Sequence, residues 1–253
     1  MKNISVLLFL LITLALNAQN NKTSGLNARQ FHKYWKVESE SPDYKVTFLG
    51  DTVEILSPKG LTLWRKEKMS GKVTIEYDAC VVVEVEGDRL SDLNCFWMAS
   101  DPQYPDNIWK REKWRSGIFL NCYSLQLYYM GYGGNHNSTT RFRRYDGNEA
   151  AITNAKARPA ILKEYTDADH LLEANKWYHI KITNENNRVS YYINGVRLVD
   201  FRDAAPLTEG WFGFRTTLSR TRIANFHYEC SPQEISEIPL HWIGTVSYTH
   251  LTL

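Results

Sequence analysis

The sequence has few cysteines, almost no net charge and no internal repeat. Four Cys in 253 residues are too few for a disulfide-built scaffold, and whether their thiols are free or bridged stays open. Against 28 acidic side chains stand 30 basic ones, so no overall field favours nucleic acid or an anionic membrane. Heptads and long apolar runs are also missing, which excludes a coiled coil and a polytopic membrane protein.

Apolar and aromatic residues, by contrast, are abundant. Hydrophobic residues make up 43% of the chain, and 8 Trp, 15 Tyr and 10 Phe are among them. This is enough material for a sizeable core, which excludes global disorder. Because the net charge is close to zero, recognition of a charged ligand has to come from a local patch.

The two ends of the chain are separated from the fold. Lys2, the apolar run Ile4–Leu16 and the small residue Ala18 are typical of a secretory signal over residues 1–18. We therefore expect a secreted or periplasmic protein with no membrane insertion after signal removal. Residues 245–253 resemble the translated end of a transposon used in sequencing libraries, and we assign them no role.

Short β-type segments separated by turn residues fill the rest of the chain. Only Leu26–Trp35 and Asp167–Ala174 have a helical pattern, and Asn194-Gly195 predicts a tight hairpin turn. The predicted strands are Tyr44–Leu49, Thr52–Leu56, Leu61–Trp64, Gly71–Glu86, Leu93–Ala99, Gly117–Cys122, Ser124–Gly131, Ser138–Tyr145, Trp177–Asn184, Arg188–Ile193, Gly210–Thr216 and Arg222–Tyr228.

This pattern predicts an all-β fold, a two-sheet antiparallel β-sandwich of jelly-roll type. No β-helix-β alternation is present, which argues against α/β folds. We place the sandwich domain at residues 44–232, between an N-terminal segment, 19–43, and a C-terminal segment, 233–244.

Alternation along one predicted strand places two arginines on the same face. Arg141, Arg143 and Tyr145 share a face opposite Phe142, which we expect to point into the core. On the preceding strand, we expect Gln126 and Tyr128 to lie beside these arginines. Guanidinium groups bind carboxylates in a bidentate manner, and aromatic rings stack on sugar C–H faces. The face therefore predicts binding of an acidic saccharide.

Several motifs resemble known carbohydrate-related families. Trp177–Ile182, Val189–Gly195 and Pro206–Arg215 resemble the last strands of concanavalin A-like (laminin G-like) sandwiches. Asp88–Pro102 and Gly131–Tyr145 resemble uncharacterised secreted proteins of polysaccharide-degrading gut Bacteroidetes, which are distantly similar to the YesU-like proteins of rhamnogalacturonan-utilisation clusters. The resemblance covers Tyr34–Cys230. It implies a concanavalin A-like jelly roll and a polysaccharide context, and it brings no established reaction.

The resemblance also bears on metals. Calcium is common in the concanavalin A-like superfamily, but the sequence has no Asp-x-Asp-x-Asp-Gly loop and no Cys/His spacing for zinc. We therefore predict no cofactor and no metal, with a structural calcium ion as an open alternative.

The chemistry we favour is a polysaccharide lyase reaction. Elimination next to a uronate needs a group that neutralises the carboxylate, a base and an acid, and jelly-roll lyases use Arg, Asn or Gln, His and Tyr for these parts. We assign Arg141 or Arg143 as the neutralising group, His136 as the base and Tyr145 as the acid. His136 lies in a Gly-rich loop, and the alternative is that it is a plain polar loop residue. Further predicted substrate-binding residues are Asn94, Trp97, Asp101, Gln126, Tyr128, Asn135, Asn137 and Arg215.

Two other functions stay open. A glycoside hydrolase needs two carboxylates, and the Glu-x-Asp-x-(x)-Glu strand motif of sandwich glucanases is absent, although Asp88, Asp92 and Asp101 are candidate acids. A non-catalytic carbohydrate-binding module would use the same groove without a base. In each case we expect a monomer whose partner is an acidic polysaccharide or oligosaccharide.

Overall fold

The computed structural model describes residues 24–232, so the predicted signal and the segments after residue 232 lie outside the described residues. Strands dominate, and the four α-helical segments are each a single turn. The strands are β1 (Trp35–Ser39), β2 (Lys45–Leu49), β3 (Thr52–Arg65), β4 (Met69–Ser70), β5 (Lys72–Val82), β6 (Leu93–Ser100), β7 (Gln126–Gly133), β8 (Thr139–Asp146), β9 (Lys163–Tyr165), β10 (Trp177–Glu185), β11 (Arg188–Ile193), β12 (Val196–Arg202) and β13 (Glu209–Ser231). The helices are α1 (Phe31–Tyr34), α2 (Glu112–Arg115), α3 (Gly134–Asn137) and α4 (Ala150–Thr153), with 3-10 turns η1 (Ile108–Arg111), η2 (Phe119–Ser124), η3 (Ala155–Ala157) and η4 (Ala168–His170).

Two sheet halves are joined by the long strands β3 and β13. In the first half, the order β12-β11-β10-β5 continues into the C-terminal part of β13. In the second half, the N-terminal part of β13 pairs with β6, followed by β7, β8 and β9. The strand pairs are antiparallel, and the β-sandwich expected from the sequence is confirmed.

Side-chain alternation explains how the two halves pack. Along β10, every second residue is buried, beginning with Tyr178. The main core lies between the halves and includes Tyr77 and Tyr191 from the first half and Trp97, Tyr128 and Phe142 from the second. The prediction that Phe142 points into the core is confirmed.

The structure corrects several predicted elements. Residues 117–122 are not a strand: Ser116 and Gly117 have positive φ, 49° and 68°, and the chain turns there into η2. The predicted helix at Asp167–Ala174 is reduced to the 3-10 turn η4. Two pairs of predicted strands are the single long strands β3 and β13, and β12 was not predicted.

The structure also shows the state of the cysteines and where the sandwich begins. All four cysteines are free thiols, and burial raises the pKa of Cys122 to about 11. Strand β1 pairs with β3, so the sandwich includes residues before Tyr44.

Candidate functional site

Strands β6, β7 and β8 present one face to the main core and the opposite face to a second set of residues. Directly paired positions place Phe96 beside Tyr129 and Tyr129 beside Arg143. We call this second face the site face. On it, Phe96, Leu127 and Tyr145 form a second buried cluster with η2 residues such as Tyr123. We call this part the covered half, and the remainder the open half.

The open half contains a cavity of 330 Å³. Its wall consists of residues of β6, β7, β8 and β13, of η2, and of the segments before β6, after β7 and after β1. The lining residues are Glu40, Arg89, Asp92, Asn94, Phe119, Tyr123, Tyr129, Gly131, Gly134, Asn135, Thr139, Arg141, Arg143, Arg215 and Thr217.

Arg215 is the most deeply placed cation of the cavity. Because Phe212 and Phe214 of β13 point into the core, the alternation turns Arg215 to the site face, where only 3% of it is exposed. Its guanidinium donates to the Gly117 carbonyl at 2.6 Å and lies over the ring of Phe119. Within residues 24–232, no carboxylate oxygen lies within the 4.0 Å limit for an ion pair with Arg215.

The cavity carries an excess of positive charge. Four arginines and two carboxylates line it, and Glu164 beside Arg141 is a third carboxylate, which leaves one excess positive charge. Arg89 pairs with Asp92 at 3.2 Å, and Arg141 pairs with Glu164. Arg143 donates only to the Pro159 carbonyl, at 3.2 Å. The two guanidinium groups without a carboxylate partner in the described chain are therefore those of Arg143 and Arg215.

Tyr129 places a hydroxyl group in this charged environment. Its Oη lies above Gly131, where a Cβ atom would come within 2.4 Å of the oxygen, so glycine is required for this position of the ring. Within the described part of the chain this hydroxyl forms no hydrogen bond. Burial raises the pKa of Tyr129 and Asp92 adds to this effect, while Arg215 and Arg143 oppose it.

The two carboxylates of the cavity differ in their surroundings. Asp92 is buried, accepts hydrogen bonds from Ser91 and Asn94 and pairs with Arg89. Glu40 is exposed, and its carboxylate accepts only the Gly60 amide at 3.3 Å. No cation of residues 24–232 forms an ion pair with Glu40.

Five of the predicted site residues come together at the cavity, on β6, β8, β13 and the loop after β7. They are Asn94, Asn135, Arg141, Arg143 and Arg215. The side-chain oxygen of Asn94 is buried and has no hydrogen-bond partner among residues 24–232. Their roles stay predictions, but their proximity is a property of the structure.

Three predicted residues are buried away from the cavity. Trp97 and Tyr128 lie fully in the main core, with ring centroids 5.7 Å apart, so neither offers a surface to a sugar. Tyr128 donates to Asp203, and the β7 residue beside Arg143 is Tyr129. The prediction that Tyr128 lies beside Arg141 and Arg143 is therefore wrong, because the next residue along β7, Tyr129, occupies that place. Tyr145 shares the arginine face as predicted, but it is fully covered, which removes it from contact with a ligand.

Asp101 and Gln126 lie at the other end of their strands. Asp101 is fully buried, and its carboxylate binds Arg111 through both oxygens. Gln126 is paired with Asp146 at the start of β7 and does not line the cavity. Neither residue can contact a ligand in the cavity from these positions.

The loop after β7 holds His136 outside the cavity in which it was predicted to act as a base. Asn135, His136 and Asn137 all have positive φ, between 51° and 59°, and form a left-handed turn. Asn137 is engaged on both sides with the Leu172 backbone, at 2.8 and 2.9 Å, which holds this turn. His136 is exposed and is not among the cavity residues, so the structure does not place it with Arg143.

Four cavity residues were not predicted from the sequence: Glu40, Phe119, Tyr123 and Tyr129. Phe119 and Tyr123 belong to η2, which was expected to be a strand. Tyr129 was assigned to the face opposite the arginines, although the Tyr128-Tyr129 pair places one ring on each face. Glu40 has no local signal at all, because only the β1–β3 pairing brings it to the cavity.

Within residues 24–232, no helix is long and apolar enough to cross a membrane. In the same range, no group of three or more His, Cys, Asp or Glu side chains is arranged to hold a metal ion. The prediction about cofactors and the calcium alternative stay untested.

A family described as a domain of unknown function, DUF6250, matches residues 55–226, which is more than half of the chain. The chain belongs to this family. The match includes β5 to β12 with most of β3 and β13, and so includes every cavity residue except Glu40. None of the curated proteins matches the chain in sequence.

Solved structures share the fold of this DUF6250 member. A protein of unknown function with a galectin-like fold from Bacillus subtilis has a TM-score of 0.65 at 14% identity, over 85% of this chain and 99% of the other. The carbohydrate-binding module CBM66 from Bacillus subtilis has a TM-score of 0.51 at 17% identity, over 77% and 94%. The exoplasmic/lumenal domain of VIP36, in a Ca²⁺/Man3GlcNAc-bound form, has a TM-score of 0.55 at 8% identity, over 87% and 93%. These likenesses support the jelly-roll architecture.

Proposed function

We propose that this protein acts on an acidic, uronate-containing saccharide, and that the cavity of the open half binds the uronate. The observation that carries the proposal is the guanidinium of Arg215, which is buried and has no ion-pair partner in the described chain. A buried charge is costly unless an opposite charge compensates it. A ligand carboxylate in the cavity would supply this charge, and Arg143 lies in the same wall.

The aromatic residues of the cavity support a sugar as the carrier of that carboxylate. Phe119, Tyr123 and Tyr129 line the cavity beside the arginines. Their rings offer apolar surface for the C–H groups of a pyranose, while Asn94 and the tyrosine hydroxyls offer polar contacts. The names of two similar structures refer to carbohydrate binding, in a carbohydrate-binding module and in a Man3GlcNAc-bound domain. A saccharide ligand for this chain is our inference from both observations.

Among reactions, the cavity favours β-elimination over glycoside hydrolysis. Hydrolysis needs one protonated and one ionised carboxyl group at the scissile bond. Asp92 is held by Arg89, Ser91 and Asn94, and these contacts occupy both of its carboxylate oxygens. Elimination needs carboxylate neutralisation first, which Arg143 and Arg215 can supply. A secreted or periplasmic location and a monomeric state remain part of the proposal.

Binding measurements on a panel of polysaccharides test the ligand. We expect polygalacturonate to bind and a neutral galactan not to bind in titration calorimetry, with affinity falling as salt rises. A sulfated galactan serves as a third arm, because sulfate is the other anion that arginines would recognise. Preference for the sulfated chain would replace the uronate by a sulfate ester, and binding of the neutral chain alone would overturn the proposal.

Variants of the two arginines locate the binding. We expect Arg143→Gln and Arg215→Gln each to lower affinity at least about 10-fold, the range of one charge-assisted contact. Arg188→Gln is the matched control, because Arg188 pairs with Asp200 on the exposed surface of β11. Thermal unfolding of each variant shows whether the fold is retained. Full affinity in folded Arg143→Gln and Arg215→Gln proteins would contradict the assignment.

A further inference from the structure

Resting on the proposed function, we propose that Tyr129 and Glu40 are the acid and the base of an anti β-elimination, which selects 4-linked galacturonan. Two observations carry this proposal: the Tyr129 hydroxyl forms no hydrogen bond within residues 24–232, and Glu40 is the cavity carboxylate without a cation partner there. Neither group was found from local sequence pattern, and both line the same cavity as Arg215.

The sheet order places the two groups on opposite sides of the bound carboxylate. Across the site face, the strands follow the order β3, β13, β6, β7 and β8. The Glu40 carboxylate contacts Gly60 of β3, whereas Tyr129 is on β7. The backbone of Glu40 itself follows β1 and pairs with Gly60. Four strand spacings, about 19 Å, therefore separate the backbone of Glu40 from that of Tyr129, with Arg215 between them.

Arg215 lies near both groups. A Cβ atom at Gly60 would be 2.5 Å from a guanidinium nitrogen of Arg215 and 3.1 Å from a Glu40 oxygen, so the two side chains approach the same point. On the other side, Arg215 and Arg143 both act electrostatically on the Tyr129 hydroxyl. A uronate carboxylate bound by Arg215 and Arg143 would therefore sit between the base and the acid.

The protonation states fit these roles. Burial and Asp92 raise the pKa of Tyr129, which keeps its hydroxyl protonated and able to donate at neutral pH. Glu40 is exposed and lines the cavity, where its carboxylate oxygens can accept a proton. The cavity thus combines a proton donor and a proton acceptor.

The reaction step balances without a further reactant. Glu40 accepts the proton from C5 of the uronate, and the electron pair of that C–H bond forms the C4–C5 double bond. The bond between C4 and O4 breaks, and O4 leaves with the proton of the Tyr129 hydroxyl. Water then returns the proton from Glu40 to the Tyr129 oxygen. The two arginines stabilise the negative charge that develops on the carboxylate.

The opposite placement of base and acid determines the substrate. In 4-linked D-galacturonate, the C5 hydrogen and O4 lie on opposite faces of the ring, so groups on two sides can serve both. In 4-linked D-glucuronate and D-mannuronate, the same two atoms lie on one face. We therefore expect cleavage of galacturonan and not of glucuronan or polymannuronate.

The experiment measures the ultraviolet absorbance of the new double bond with the whole protein on polygalacturonate, glucuronan and polymannuronate. We expect product from polygalacturonate only. Tyr129→Phe and Glu40→Gln should each lower the rate at least about 100-fold, the lower range for general acid–base groups, with polygalacturonate affinity retained. Tyr104→Phe and Glu229→Gln, both on the exposed surface, are matched controls that should keep the full rate.

The outcomes separate the two proposals. Binding of polygalacturonate without unsaturated product overturns the elimination and leaves the ligand proposal intact, and new reducing ends without absorbance indicate hydrolysis instead. Faster cleavage of glucuronan or polymannuronate overturns the anti arrangement, as does full activity in either variant. Absence of binding to every acidic chain overturns the ligand proposal itself.

Discussion

The open and covered halves of the site face are made by the same strands, yet they differ in accessibility. In the covered half, Tyr123 of η2 packs on Tyr145 with ring centroids 5.1 Å apart, and the surface is closed. In the open half, the same strands carry Arg141 and Arg143 into a cavity of 330 Å³. The comparison shows that a shared strand face does not determine accessibility. The segment that lies over the face does.

The largest effect on stability is expected from removal of the ring that closes the covered half. We expect Tyr145→Ala to lower the free energy of unfolding by about 3–5 kcal/mol, because a fully buried aromatic ring would be replaced by a cavity. Urea denaturation measures the change. Tyr104→Ala is the control, since Tyr104 is exposed and should change stability by less than about 0.5 kcal/mol. Equal losses in the two variants would contradict the closed packing described for Tyr145.

The second test concerns the junction between the halves. Gly117 has a φ of 68°, and a Cβ there would lie within 2.8 Å of backbone atoms of Glu38, Glu40 and Gly60. We expect Gly117→Ala to cost about 1–3 kcal/mol of stability and to weaken polygalacturonate binding, because the Gly117 carbonyl orients Arg215.

Gly195→Ala provides the matched control for this substitution. Gly195 has a φ of 81°, but nothing lies within 4 Å of its Cβ position. It therefore reports the cost of the left-handed conformation alone. The difference in unfolding free energy between the two variants measures the cost of the crowding at Gly117. Equal unfolding free energies would show that the neighbouring backbone moves aside at no cost.

A third, smaller effect sharpens the description of the covered half. The hydroxyl of Tyr145 is buried and has no hydrogen-bond partner in residues 24–232. Because an unsatisfied buried hydroxyl is unfavourable, we expect Tyr145→Phe to raise stability by about 1 kcal/mol, seen as a higher urea midpoint at unchanged slope. A destabilised Tyr145→Phe protein would mean that this hydroxyl does have a partner.

The smallest effect on stability is expected in the open half. Arg143 is half-buried and donates to a single carbonyl, so Arg143→Gln should change the unfolding free energy by less than about 0.5 kcal/mol. The same variant should lose affinity for polygalacturonate. A large loss of stability in Arg143→Gln would remove the functional contrast between the two halves.

Local alternation was sufficient for much of the fold and for part of the site. It predicted the fold class, most strands and the common face of Arg141, Arg143 and Tyr145. Alternation alone could not show which face of β7 carries Tyr128 and which carries Tyr129, because the two residues are adjacent and both aromatic. The pairing register that decides this depends on tertiary contacts. The cover by η2 and the arrival of Glu40 from β1 depend on contacts between distant parts of the chain, which no local pattern contains.

The central place of β13 has a consequence for folding kinetics. This strand supplies Arg215 and pairs with β3, β4, β5 and β6, so partners such as Gly213 and Trp64 are far apart along the chain. Contacts of such long range slow the folding of β-proteins, because loop closure precedes the favourable pairing. During synthesis, β6, β7 and β8 emerge before β13. We therefore expect the cavity to form late in folding, after β13 has inserted between β3 and β6.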